Sequence, residues 1–129
     1  MEANILILLA EDEHLIGLTV QDALQDGGYA VHYVESGRVA INVLEEDQPK
    51  VSAVITDVRL GNGPSGWDVA RRAREINPRM PILYMSGDSA HEHSAMGVPG
   101  SLMLQKPFAA AQVVTAISTL LNEAQTAPE

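Results

Sequence analysis

The stretch Ile5-Leu6-Ile7-Leu8-Leu9-Ala10-Glu11-Asp12 decides the fold. Five apolar residues in unbroken succession suit a strand covered on both faces, because a half-exposed strand would alternate. The run ends abruptly on two carboxylates. Working outward, the same unit recurs. Residues 14–26 place Ile16, Val20, Ala23 and Leu24 on one helical stripe, and Gly27-Gly28 stops that helix. Tyr29 to Val34 reads as a second strand. Ser36 is an N-cap for a helix reaching Glu46, with Val39, Ala40, Val43 and Leu44 facing inward.

Val51 to Thr56 is a third strand, followed by the glycine-rich loop Gly61-Asn62-Gly63-Pro64-Ser65-Gly66. A helix over Trp67–Ile76 buries Val69, Ala73 and Ile76 and ends at Asn77-Pro78. Residues 82–85 form the fourth strand, 88–96 a short polar helix, 101–104 the fifth strand and 108–123 the last helix. Val113, Ile117, Leu120 and Leu121 lie on the stripe of that helix. Strands alternating with helices predict an α/β domain, a parallel sheet with helices on both faces and right-handed crossovers. Strand order 2-1-3-4-5 is one of two common solutions. It puts the functional crevice at the carboxyl ends of strands 1 and 3.

The 129 residues fit a single domain over 1–129, with a core at 4–123 and a frayed tail at 124–129. There is no cysteine, which excludes disulfides, thiolate catalysis and cysteine-ligated zinc. Ile5–Ala10 is too short for a signal or a membrane span, and the N-terminus carries no basic run. A cytoplasmic protein is expected. The net charge of −9, with Lys50 and Lys106 the only lysines, makes nucleic-acid and membrane binding poor expectations.

The polar residues with chemical potential collect at predicted strand ends: Glu11-Asp12, Asp57, Ser86-Gly87 and Lys106-Pro107. One polar residue after a strand is ordinary loop chemistry. Four on one rim are a site. Crowded carboxylates repel, and a hard divalent cation relieves them. Mg²⁺ takes one or two carboxylates, waters and a phosphate oxygen in octahedral geometry. Asp12 and Asp57 are the expected direct ligands, with Glu11 acting through water and the backbone carbonyl of Arg59 from the following loop. Asp57 is a ready nucleophile, already anionic at neutral pH. Lys106 and the Ser86 hydroxyl supply positive charge and a donor to phosphoryl oxygens.

These motifs make the chain resemble the receiver domains of two-component response regulators. The matching pieces are Glu11-Asp12, Thr56-Asp57-Val58-Arg59-Leu60, Met85-Ser86-Gly87 and Gln105-Lys106-Pro107-Phe108, within residues 4 to about 123. The resemblance implies a flavodoxin-like (βα)5 doubly wound sheet and Mg²⁺ as cofactor. It implies phosphorylation of Asp57 by a phosphohistidine on a sensor histidine kinase or histidine phosphotransfer protein. It also implies a switch hydroxyl at Ser86, a cis Lys106-Pro107 bond, and signalling to a partner protein, here expected through the 88–123 face. Such a protein is no enzyme in the ordinary sense, since it catalyses only its own phosphorylation and dephosphorylation. With no output segment after the last helix, a stand-alone receiver is the expectation.

Two positions depart from the family pattern. Met103 occupies the switch position, three before the lysine, where an aromatic residue is usual. Gly66 lies one residue later than in the commonest loop. Two alternatives stay open: an aspartate-nucleophile phosphatase resembling the haloacid dehalogenases, which would need a second aspartate where Arg59 stands, and a pure interaction module. His91 and His93 lie two apart on a helix and do not converge, so a solvated face is expected rather than a metal site. His14 and His32 read as surface or partly buried residues without a ligand partner, and Trp67 as packing.

Overall fold

The computed structural model describes residues 5–126, with side chains described through Gln125. Five parallel strands form one sheet in the order β2-β1-β3-β4-β5. The elements are β1 (Leu6–Ala10), α1 (His14–Asp26), β2 (Ala30–Val34), α2 (Gly37–Glu45), β3 (Ala53–Asp57), α3 (Gly66–Ile76), β4 (Ile82–Ser86), α4 (His93–Met96), β5 (Leu102–Gln105) and α5 (Ala110–Thr126). A single 3₁₀ turn, Ala90–Glu92, precedes α4. Among the described residues no helix is long and apolar enough to cross a membrane.

The sheet divides two apolar layers, as the two periodicities demand. Successive strand residues face opposite sides. Leu8, Ala10, Val54, Ile82 and Tyr84 pack with the buried faces of α2 and α3. Ile7, Leu9, Ala53, Ile55, Leu83 and Met85 pack with those of α1 and α5. β1, β3 and β4 are thus covered on both faces, which is why their sequences run apolar without alternating.

The boundaries differ from the sequence reading in ways the hydrogen bonds explain. β3 starts at Ala53, because the Ser52 hydroxyl accepts from Leu6 N (3.2 Å) where a ladder carbonyl would otherwise stand. β5 starts at Leu102, because Ser101 closes a turn on Val98 O with both its N–H (3.2 Å) and its hydroxyl (2.6 Å). The expected helix at 88–96 is only a 3₁₀ turn and one α turn, with no buried residue in either. The last helix begins at Ala110 and continues to Thr126, so residues 124–126 are helical rather than frayed. The rest of the expected tail, and residue 4 of the expected core, lie outside the described residues.

Two expected core positions are exposed, Val39 at 45% and Ile76 at 44%. In α2 the buried stripe is Gly37, Ala40, Val43 and Leu44, and Val39 lies off it. Ile76 continues the α3 stripe but falls in the last turn, where Asn77 N closes the helix on Ala73 O. Ser65 opens α3 with a capping box, accepting from Asp68 N while Asp68 accepts from Ser65 N. That cap fixes where the loop from Asp57 must end.

Candidate functional site

The carboxyl ends of β1, β3, β4 and β5 converge on one rim. Asp57 is the last residue of β3 and is 5% exposed. Its position is set by the backbone around it. Val58 N donates to Met85 O (3.0 Å), and Gly66 N donates to Val58 O (2.8 Å). A Cβ at Gly66 would run into the Asp57 carbonyl, so α3 can start this close to the strand end only with glycine there. The later placement of Gly66 is accommodated by Gly61 and Gly63, both at positive φ (73° and 94°).

Glu11, Asp12 and Asp57 each offer a carboxylate oxygen, all within 4.8 Å of one another. Glu11 is fully buried, Asp57 nearly so, and Asp12 is exposed at the mouth. Glu13 N donates to Glu11 Oε2 (3.0 Å) and fixes that carboxylate. Tyr33 Oη donates to Glu11 O (3.0 Å), tying β2 to the same corner. Lys106 reaches in from the end of β5. Its Nζ donates to Asp57 Oδ2 at 3.0 Å and lies 3.1 Å from Glu11 Oε1.

That second contact is a charge contact without hydrogen-bond geometry, so Glu11 Oε1 is buried with no hydrogen-bond donor. Burial pushes the Glu11 carboxyl up to about 7, with the Asp57 charge adding to the shift. The Glu13 N–H and Lys106 oppose it. Burial pulls the Lys106 ammonium down, but its hydrogen bond to Asp57 and the charges of Asp57 and Glu11 outweigh this and hold it above the usual lysine range.

The site therefore holds more carboxylate charge than Lys106 neutralises, and one buried oxygen without a donor. An all-oxygen donor set of this kind suits Mg²⁺, which needs few protein ligands and keeps its waters. Asp12 and Asp57 would hold it directly, with Glu11 behind them and the Arg59 carbonyl in the loop beyond.

Ser86 ends β4 and is 1% exposed. Its Oγ accepts from Ser89 N (2.7 Å) and Asp88 N (3.2 Å), so the hydroxyl oxygen caps the turn that leads toward α4. Two residues earlier, Tyr84 is fully buried, and its Oη accepts from Val98 N (3.1 Å) beyond α4. Met103 is half-buried and pairs with Tyr84 across β4 and β5. The aromatic rings on this face belong instead to Trp67, 4.7 Å from Tyr84 between centroids, and to His93, 5.7 Å away edge-on.

His93 is not merely solvated. Its Nε2 meets Ser101 Oγ at 2.9 Å, while His91 is exposed. The two histidines diverge as expected. His14 and His32 are exposed. Lys106-Pro107 is cis.

A cleft of about 470 Å³ opens over Asp57, between Asp12, Arg59, Gly87, Asp88 and Lys106. Arg59 Nε donates to Asp88 Oδ1 (3.0 Å) on its rim. Sequence reasoning missed one participant. Glu13 Oε1 lies 3.3 Å from Lys106 Nζ, making a third carboxylate on that ammonium. The signal was present as three consecutive acids, Glu11-Asp12-Glu13, at the end of the first strand.

Comparison with known proteins agrees with this geometry. A family model described as the response regulator receiver domain matches residues 7–118. A response regulator receiver protein from Sinorhizobium medicae is 46% identical, with a TM-score of 0.90 over 94% of this chain and 97% of that one. The receiver domain of sensor histidine kinase PA1611 from Pseudomonas aeruginosa carries a magnesium ion coordinated in its active site cleft. It is 25% identical, with a TM-score of 0.78 over 93% of this chain and 99% of that one. Among curated proteins, the response regulator receiver protein CpdR of Brucella abortus is 31% identical over 89% of this chain and 95% of its own length. Other relatives are longer: the chain spans 12% of sensor kinase CckA of Brucella abortus and 52% of the probable transcriptional regulator SilR of Salmonella typhimurium.

Proposed function

We propose, from the premise that this chain belongs to the response regulator receiver domain family, that Asp57 is its phosphoacceptor. Lys106, Ser86 and the acidic pair Glu11-Asp12 serve the transfer. The role of the family, a phosphoacceptor signalling switch, is this chain's role. The observation that carries the residue assignment is the Lys106 Nζ–Asp57 Oδ2 contact of 3.0 Å, inside a carboxylate triad and under an open cleft.

The donor is a phosphohistidine on a sensor kinase or phosphotransfer protein. Its P–N bond breaks with the electron pair remaining on the imidazole nitrogen, as a P–O bond forms to an Asp57 carboxylate oxygen. The residues place the reactants in line and meet developing charge. Lys106 donates to one phosphoryl oxygen. Ser86 turns its hydroxyl toward another. Asp12 and Asp57, with Glu11 through water and the Arg59 carbonyl, would hold Mg²⁺, which would supply positive charge at the phosphoryl oxygens. The chain thus catalyses only its own phosphorylation and its reversal.

When Ser86 turns, it gives up the Ser89 and Asp88 N–H groups. The segment from Asp88 to α4 loses the cap at its start. With no buried residue in the 3₁₀ turn or α4, this segment is the easiest to bias. Met103, flexible and apolar, follows by repacking beside Tyr84 rather than by rotating a ring. The output surface is therefore the 88–123 face, read by a downstream protein. A cytoplasmic site of action follows from the nature of the proposed donor, and the acidic surface disfavours nucleic acid and anionic membranes as partners.

The test is intact mass after incubation with acetyl phosphate. A gain of one phosphoryl group that needs Mg²⁺ and disappears in Asp57→Asn is expected. Uptake by the variant at the wild-type rate rules out the assignment.

A further inference from the structure

Glu13 occupies the N-cap position of α1 but does not cap the helix. Its backbone is extended (φ −90°, ψ 108°), as an N-cap requires, yet its carboxylate accepts from no helix N–H. The serines at the starts of α2 and α3 both cap theirs. Glutamate is not among the favoured N-caps, which are Ser, Thr, Asp and Asn, so its carboxylate is free to reach elsewhere. Here the partner is Lys106: Glu13 Oε1 lies 3.3 Å from Nζ. Lys106 therefore faces three carboxylates, Asp57 at 3.0 Å, Glu11 at 3.1 Å and Glu13 at 3.3 Å.

An ammonium has three donors. Asp57 and Glu13 take two of them, and Glu11 crowds the ammonium by charge without hydrogen-bond geometry, so a phosphoryl oxygen must approach Lys106 against three carboxylates unless one gives way. Glu11 is buried and held by the Glu13 N–H, and Asp57 is the acceptor itself. Glu13 makes the longest of the three contacts, and its side chain is 63% exposed, so water can replace its partner at once.

Building on the Asp57 assignment, we infer that Glu13 is a positioning residue for Lys106 that also discriminates among phosphodonors. It holds the ammonium at the cleft mouth and must be displaced by the incoming phosphoryl group. It also places a negative charge where an anionic donor enters. A small acyl phosphate has only its phosphoryl group with which to displace Glu13. A phosphohistidine protein has contacts outside the cleft whose binding energy helps drive that exchange. The reaction itself is unchanged: with acetyl phosphate, the bond from phosphorus to the acetyl oxygen breaks, acetate leaves with the electron pair, and phosphorus bonds to an Asp57 oxygen.

The test compares wild type, Glu13→Gln and Glu13→Ala, labelled with acetyl phosphate in saturating Mg²⁺ at low and high salt. Both variants are expected to label faster at low salt, by roughly 1.5- to fivefold, the scale of one partly exposed charge pair. The gain should lie in a lower half-saturating donor concentration and shrink in high salt. Beryllofluoride, which binds the acceptor without transfer, should bind both variants more tightly by a similar factor. If Glu13 merely props Lys106 in place, both variants label more slowly. Slower or equal labelling, or unchanged beryllofluoride affinity, overturns the inference. Absence of label at Asp57 in wild type overturns the acceptor assignment itself, a result distinct from equal rates in all three proteins.

Discussion

Arg59 Nε donates to Asp88 Oδ1 at 3.0 Å, joining the loop after β3 to the turn after β4. Both residues line the cleft over Asp57. Both side chains are more than half exposed, so the pair adds little to stability, about 0–1 kcal/mol. If Asp57 carries a phosphoryl group, the pair would stand across one route to it. Hydrolysis needs a water in line with the aspartyl phosphate. Arg59→Ala and Asp88→Ala should each speed loss of the phosphoryl group, and the double variant should add nothing further. Decay rates of the phosphorylated proteins measure this. Additive acceleration would mean two independent side chains rather than a closed pair.

Mg²⁺ should raise the melting temperature, because it binds only the folded arrangement of Glu11, Asp12 and Asp57. Asp12→Ala should abolish the shift while leaving the metal-free protein as stable or more so, since an exposed like charge is removed. Thermal unfolding with and without Mg²⁺ is the measurement. An equal shift in wild type and variant places the metal elsewhere.

Glu11 makes metal-free stability depend on pH. Its folded carboxyl is raised from 4.5 to about 7, chiefly by burial. The unfolded chain therefore ionises first, and the folded state is penalised increasingly as pH climbs from 4.5 to about 7. Without divalent ions, the melting temperature should fall across that window by several degrees and then level off. Glu11→Gln should flatten the slope. A melting temperature that rises steadily from pH 5 to 7 in wild type would contradict the assigned environment.

The segment between Ser86 and Val98 is held at both ends by β4 side chains, Ser86 Oγ at one and Tyr84 Oη at the other. Ser86→Ala should raise hydrogen exchange at Ser89 even without phosphorylation, because the hydroxyl that accepts its N–H is gone. Tyr84→Phe leaves Val98 N–H without its partner and should cost about 1–3 kcal/mol. In wild type, beryllofluoride should increase exchange across 88–98. Changes confined to α1 and α2 would move the output surface off this face.

Much of this was legible in the sequence. Doubly buried strands announce themselves as apolar runs, so β1, β3 and β4 were readable from Ile5–Leu9, Val51–Thr56 and Ile82–Met85, while the strand order was a choice between two common solutions. Chemistry placed at strand ends also showed, because Asp57, Ser86 and Lys106 each follow within two residues of an apolar run. What escaped depended on side chains choosing between partners. The hydroxyl of Ser52 replaced a ladder acceptor and shortened β3. Tyr84 read as a core residue, yet its hydroxyl anchors the chain beyond α4. Val39 sat within an apolar cluster whose true stripe ran through Gly37 and Ala40, and glycine carries no hydrophobic signal. Glu13 carried no reading of its own in the sequence, and its carboxylate reaches Lys106.

The central claim is that the phosphoryl group sits on Asp57. Borohydride cleaves an aspartyl phosphate by reducing its acyl carbon, which marks the residue permanently. The most direct measurement is peptide mapping after acetyl phosphate, Mg²⁺ and borohydride. A reduced residue at position 57 alone, absent when Mg²⁺ is chelated, is the predicted result. Reduction at Asp12 or Glu11, or label that survives in Asp57→Asn, would contradict it.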